Sequence, residues 1–116
     1  MFCRIVAGTE PARVERRWLQ AIAIRPRRPV VDGHLLVIPT AHVPDVGADP
    51  EVAAVAMAAA ADLAAEHADC NVLTSRGRYA TQTVYHLHIH VVPRAAGDGL
   101  PLPWTPQQTN ADGGQA

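Results

Sequence analysis

Between Tyr85 and Val92 the chain reads Tyr-His-Leu-His-Ile-His-Val-Val, so that His86, His88 and His90 alternate strictly with Leu87, Ile89 and Val91. A period of two is the signature of a β-strand, in which successive side chains point to opposite faces. The segment Val84 to Val92 therefore predicts a strand with three imidazoles on one face and an aliphatic row on the other. Such a strand requires a sheet whose second face is covered by an apolar layer. Neighbouring imidazoles are then anchored about 7 Å apart, twice the rise of about 3.3 Å, a spacing suited to an extended anionic group lying across the strand.

The remaining segments supply partners for that strand. Ala12 to Ile24 has a strand-like pattern broken near Trp18 to Gln20, which predicts a hairpin of two short strands. Gly33 to Pro39 is an apolar run opened by Asp32-Gly33 and closed by a proline, as expected of a central strand. A loop through Pro44, Asp45 and Gly47 leads to Asp49 as N-cap and Pro50 at the first helical position. The Ala-rich stretch from about Glu51 to Ala68 predicts the main helix, with Val52, Val55, Met57, Ala59 and Leu63 toward the sheet. Cys70 to Thr74 predicts a return strand, and Ser75 to Gln82 a polar loop. Phe2 to Val6 reads as a short helical or irregular cap ended by Gly8. Leu100 to Trp104 reads as an extended apolar segment, and the chain from Thr105 onward as disordered. There is no internal repeat.

A chain of 116 residues with 48% hydrophobic residues suits one domain with a buried core. The longest apolar stretch, Val52 to Ala65, is mostly alanine and is interrupted by Asp62, so it falls short of the ~20 residues that span a bilayer. The N-terminus lacks the pattern of a secretory signal, and a cytoplasmic location is the expectation. A net charge of −1 provides no general field for a nucleic acid polymer. Local basic clusters exist at Arg25, Arg27 and Arg28 around Pro26 and Pro29, and at Arg13, Arg16 and Arg17. The simpler reading is solvated charge, and the sharper one is phosphate contact. Cys3 and Cys70 have no metal-type spacing and are expected as buried small apolar residues.

The histidine row admits several readings. Solvated polar positions would need no repetition of histidine. A metal site would need further ligands, and the remaining soft or borderline candidates His34, His42, His67, Cys3 and Cys70 show no paired spacing. Nucleophilic catalysis at phosphorus suits the row best, because a neutral imidazole attacks while an imidazolium neighbour donates hydrogen bonds and neutralises phosphate charge. The attacking ring needs its other nitrogen held on a fixed acceptor, and the middle histidine is best placed for this. A module that binds nucleotides or phosphates without catalysis is the alternative from another class. The intact triad favours the enzyme.

Gln82-Thr83-Val84-Tyr85-His86-Leu87-His88-Ile89-His90-Val91-Val92-Pro93 resembles the signature of the histidine triad (HIT) superfamily, in its branch of nucleotide hydrolases and transferases. Phe2 to Gly8 with Pro11-Ala12, and Pro29 to Pro39 with His42, resemble that family's opening and central strand in order and spacing. The resemblance covers residues 2–104 as one HIT domain, with 105–116 as the tail. It implies an α+β fold with an antiparallel sheet of about five strands, one main α-helix and a short N-terminal helix, and a homodimer. The implied activity is nucleotidyl transfer or hydrolysis at the α-phosphate of a phosphoramidate, dinucleoside polyphosphate or nucleotide sugar, without a cofactor. Carried over by position, His88 is the nucleophile forming a nucleotidyl-histidine, with its distal nitrogen donating to the carbonyl of His86. His90 contacts phosphate or leaving group, Gln82 and Thr83 cap phosphate oxygens, and His34 is the supporting histidine. Trp104, in the extended tail, is assigned to a site surface that in relatives often belongs to the partner subunit.

The resemblance also has departures. The aspartate that commonly grips the ribose hydroxyls is here Pro26, with Arg27 and Arg28 beside it as candidates to bind an anionic substituent instead. An asparagine common in relatives is Ser75, and a glycine frequent before the glutamine is Thr81. Some relatives bind structural zinc through an N-terminal Cys-x-x-Cys, of which only Cys3 is present, so no metal is expected.

Overall fold

The computed structural model describes residues 2–8 and 11–104; the expected tail disorder from Thr105 lies outside them. A short helix, α1 (Phe2–Ala7), ends at Gly8, whose φ of +80° suits glycine and whose N–H donates to the Ile5 carbonyl at 3.1 Å. The expected hairpin is β1 (Val14–Arg17) and β2 (Ala21–Ile24), closed at the turn by Trp18 N–H to the Ala21 carbonyl at 2.8 Å. Then come β3 (Leu35–Pro39), the main helix α2 (Pro50–Ala64), β4 (Cys70–Leu73) and β5 (Ile89–Pro93), with a 3₁₀ turn at Arg78–Ala80 between the last two strands. The strands form one antiparallel sheet in the order β1-β2-β3-β5-β4, with one main helix and a short N-terminal one, as expected.

Helix α2 starts where Asp49 caps it, its Oδ1 accepting from the Glu51 N–H at 3.0 Å, with Pro50 in the first turn. It stops at Ala64 rather than near Ala68. Glu66 and His67 donate to the Leu63 and Ala64 carbonyls at 3.0 and 3.1 Å, a tightened end that turns the chain into β4. Its buried stripe is Ala56, Ala59, Ala60 and Leu63, spaced as one helical face. Met57, expected inward, lies about 100° from Ala56 around the helix and is 44% exposed, a correction to the expected packing face. The small alanines of α2 meet equally small Ala21 and Ala23 on β2, with Val37, Ile89 and Val91 beside them. The opposite face of the sheet carries Ile22, Ile24, Leu36 and Ile38, covered in part by Phe2 of α1. Among the described residues no helix is long and apolar enough to cross a membrane.

The strand expected from Val84 begins only at Ile89. The ladder from β3 runs from Leu35↔Val91 to Val37↔Ile89, and that from β4 ends at Leu73↔His90. Residues 86–88 thus run past both neighbours and are held individually. Leu87 N–H donates to the Val43 carbonyl at 2.8 Å, and Thr74 Oγ1 donates to the His88 carbonyl at 2.8 Å. Cys3, expected buried, is exposed, and Cys70 is half-buried.

Candidate active site

The extended stretch 86–88 places His88 between the sheet and α1. A carbonyl only accepts, so the 2.8 Å contact between His88 Nδ1 and the His86 carbonyl puts the ring hydrogen on Nδ1. In the neutral ring the Nε2 lone pair is then free. The Phe2 ring stands edge-on to His88 with 5.1 Å between centroids, and also packs against His86 at 6.0 Å, so α1 fixes the orientation of both rings. Phe2 lies in the segment that resembles the family's opening but is given no role at the site by that resemblance, and Thr74 is marked by no motif.

His90 opens β5 with Ile89 and faces His34, which lies just before β3. The Val30 N–H donates to His34 Nδ1 at 3.1 Å, so the neutral His34 ring carries its hydrogen on Nε2 and gives it to His90 Nδ1 at 2.9 Å. His90 in turn carries its own hydrogen on Nε2. Burial lowers the pKa of His34; burial, then the neighbouring His88 and His34 rings, lower that of His90 to about 4. His90 is therefore neutral near pH 7 in the free protein, not the imidazolium expected for a phosphate neighbour. It remains a hydrogen-bond donor. The His88 and His90 rings stand edge-on to each other with 5.3 Å between centroids.

His86 is the most enclosed member of the row, at 3% exposure. Its Nε2 donates to the Pro39 carbonyl at 3.2 Å, and its Nδ1 lies 2.9 Å from His42 Nδ1 and 3.4 Å from Cys3 Sγ. Burial is the main cause of its lowered pKa. Cys3 Sγ is also 3.2 Å from His42 Nδ1, so three soft or borderline donors converge from widely separated parts of the chain. Tetrahedral zinc holds sulfur and nitrogen ligands about 3.3–3.6 Å apart, which these donors reach with small shifts. A closed structural zinc site takes four protein ligands, and no fourth histidine, cysteine or carboxylate joins the group among the described residues. The trio fits three corners of such a site and does not close it. The spacing of Cys3 and His42 in the chain carried no sign of this meeting.

The loop before the histidines is built around Gln82, which is 5% exposed. Its Nε2 donates to the Pro44 and Val84 carbonyls at 2.7 and 3.1 Å, and its Oε1 accepts from the Gly77 N–H at 2.9 Å. The carboxamide is spent on the backbone, so this side chain shapes the loop instead of capping a phosphate as expected. Thr83 is exposed beside it. Thr81 occupies the left-handed region with φ 72°, where a glycine is at ease. Ser75 and Thr81 join His34 and His90 in lining a cavity of about 330 Å³, which Leu100 and Leu102 of the C-terminal segment also border. Trp104 is 67% exposed and does not line it. Phe2 also lines a cavity of about 540 Å³ that is bordered by Arg27 but not by Arg28, which is exposed.

The HIT domain family model matches residues 14–97. An uncharacterized HIT-like protein of Mycobacterium tuberculosis is 36% identical over 107 residues, covering 86% of this chain and 74% of that protein. The adenosine 5'-monophosphoramidase HNT1 of Saccharomyces cerevisiae is 34% identical over 121 residues, covering 97% of this chain and 73% of that enzyme. The adenylylsulfatase HINT3 of Arabidopsis thaliana is 30% identical over 107 residues, 86% of this chain but only 54% of that enzyme. Among solved structures, a HIT family protein from Bacillus anthracis superposes with a TM-score of 0.80 at 30% identity, over 94% of this chain and 83% of that one. A zinc-bound histidine triad family protein from Mycobacterium smegmatis superposes with a TM-score of 0.79 at 34% identity, over 95% of this chain and 85% of that one.

Proposed function

The chain belongs to the HIT domain family, and on that premise we propose that it is a nucleotide hydrolase or nucleotidyl transferase acting at the α-phosphate of a nucleotide conjugate. The observation that carries this reading is the His88 Nδ1 contact with the His86 carbonyl at 2.8 Å, which leaves Nε2 as the nucleophile. The yeast and plant relatives are named for a phosphoramidate and a sulfate of adenosine 5'-monophosphate, two conjugates whose leaving groups sit on an α-phosphate.

In the proposed reaction the Nε2–P bond forms as the bond from phosphorus to the leaving group breaks. His90 Nε2–H donates a hydrogen bond to the departing atom and keeps its proton, held in that tautomer by the His34 Nε2–H on its Nδ1 and by the Val30 N–H on His34; the leaving group departs with the bonding pair and takes any proton it needs from water. Water, or an acceptor hydroxyl, then attacks the phosphorus of the nucleotidyl-His88, the new P–O bond replacing the P–Nε2 bond; the ring leaves neutral with its hydrogen on Nδ1, and the proton of the attacking group passes to solvent. No step uses a metal. The test is rapid-quench trapping during turnover of adenosine 5'-phosphoramidate. An acid-labile, alkali-stable adduct on His88 is expected, and a His88→Gly protein that turns over at the native rate would end the proposal.

A homodimer is part of the same reading. Strand β4 is an edge of the sheet, so its outer backbone groups have no strand neighbour among the described residues, and Trp104 is two-thirds exposed. Sedimentation at low micromolar concentration is expected to show a dimer, and removal of residues 100–116 tests whether the tail takes part.

A further inference from the structure

The cavity of about 330 Å³ bordered by His34 and His90 follows the ladder between β4 and β5. We infer that it is the subsite for the leaving group and that it selects an uncharged apolar one, an alkylamine joined to the α-phosphate through nitrogen, over a further phosphate; the inference rests on the nucleotide reading of the site. In-line displacement puts the leaving group on the far side of phosphorus from the nucleophile. His34 and His90 line this cavity and His88 does not. A conjugate whose phosphorus faces His88 and whose departing atom accepts from His90 therefore directs the rest of its leaving group here. Leu73 pairs with His90 and Asn71 with Val92, and paired residues share a face of the sheet, so these four side chains form the floor. Leu100 and Leu102, from the C-terminal segment of the same chain, wall it.

The charge of this lining is already neutralised. Among the described residues Arg94 is the one Lys, Arg, Asp or Glu that borders the cavity, and its guanidinium is occupied on every nitrogen. Nε and Nη2 donate to the two carboxylate oxygens of Asp98 at 2.8 and 3.0 Å, Nη2 also donates to the Leu100 carbonyl, and Nη1 donates to Asn71 Oδ1. Asp98 in turn accepts from the Ala95 and Leu100 N–H groups at 3.0 and 3.1 Å. Leu100 is thus clamped through its main chain at both N–H and carbonyl, and the apolar wall stands in place before any ligand arrives. His34 and His90 are neutral, the first donating to the second. A leaving group that carries phosphates would lose water here and find no free cation. An aliphatic amine loses only the water on its carbon chain, which favours binding. The bond from phosphorus to nitrogen breaks with its electron pair on nitrogen, which takes a proton from water, so the amine departs neutral.

The probes are adenosine 5'-phosphoramidate, its N-(3-methylbutyl) derivative and diadenosine tetraphosphate, each measured as kcat/KM with the full chain and with Leu100→Ala/Leu102→Ala. The native protein is expected to prefer the alkylated amide to the parent by about 10-fold or more, the lower end of what a single methylene contributes in a close-fitting apolar pocket. The same preference is expected to fall to about threefold or less in the variant, whose truncated side chains leave the main-chain clamp on Leu100 intact. Each preference is a ratio of two substrates on one protein, so a loss of folded material cancels. Turnover of the parent amide without an alkyl preference overturns this inference and leaves the nucleotide reading standing. A preference that survives the double substitution overturns it too, as does a native preference for the tetraphosphate over the alkylated amide. If none of the three is turned over, the nucleotide reading falls and this inference with it.

Discussion

The two faces of the sheet use the same strands for different ends. Toward α2 they present Ala21, Ala23, Val37, Ile89 and Val91, which meet the helix alanines and Leu63 in an entirely apolar layer. Toward α1 the alternate positions present Ile22, Ile24, Leu36 and Ile38 beside Phe2, and there the histidines begin. On the helix face every buried group is satisfied by packing alone. On the α1 face each imidazole is placed by a named polar contact: His88 on the His86 carbonyl, His86 on the Pro39 carbonyl, His90 on His34. Stability and chemistry are thus divided across one sheet, and substitutions should separate them.

The largest expected effect is on the α1 face. His88→Ala should lower turnover of adenosine 5'-phosphoramidate by about 10⁴-fold or more, the order expected on removing a nucleophile. Its cost in stability should be about 1 kcal/mol, one hydrogen bond. Leu63→Ala on the helix face should do the reverse. Leu63 is 2% exposed, and its truncation should cost about 2–5 kcal/mol in urea unfolding while the folded fraction keeps its activity. An inactive but fully folded Leu63→Ala protein would show that the faces are coupled after all.

That division explains which features the sequence disclosed. The alternation around His88 and Ile89, the Ala-rich helix and its Asp49 cap are local patterns, and the five-stranded sheet followed from them and from the family signature. What stayed hidden depends on contacts distant in the chain. Cys3 meets His86 across 83 residues and His42 across 39. The start of β5 at Ile89 depends on where its two neighbours end, and Gln82 is turned inward by the Pro44 carbonyl, 38 residues away. Met57 was misplaced because an Ala-rich helix has little contrast between its faces.

A smaller effect distinguishes the faces by pH. His34, His86 and His90 all have pKa values lowered by burial, that of His90 to about 4. The unfolded chain, with histidines near 6.5, binds more protons than the native one between those values. Stability from these rings is therefore complete above about pH 6.5 and is lost as pH falls toward 4. The melting temperature should drop across this window, before the carboxylates titrate in bulk. In His90→Gln the drop should be shallower, whereas in Leu63→Ala, with its histidines intact, it should keep its native shape at a lower temperature. An unchanged slope in His90→Gln would remove this ring from the explanation.

The smallest effect expected is a gain. Thr81 has φ 72° and ψ 21°, a left-handed conformation that costs a β-branched residue about 1–2 kcal/mol relative to glycine. Its hydroxyl donates to the Ala80 carbonyl at 2.5 Å, an exposed contact that offsets part of the strain. Thr81→Gly relieves the strain but also frees the unfolded chain, which takes back about 0.4–1 kcal/mol. The balance should be a stabilisation of about 0.5 kcal/mol in urea unfolding. Thr81 borders the cavity beside His34 and His90, so the same variant tests whether its side chain restricts that space. Faster turnover of a conjugate with a bulky leaving group, with adenosine 5'-phosphoramidate unaffected, would assign the cavity to the leaving group. An equal change for both substrates would assign Thr81 to the shape of the loop that Gln82 holds.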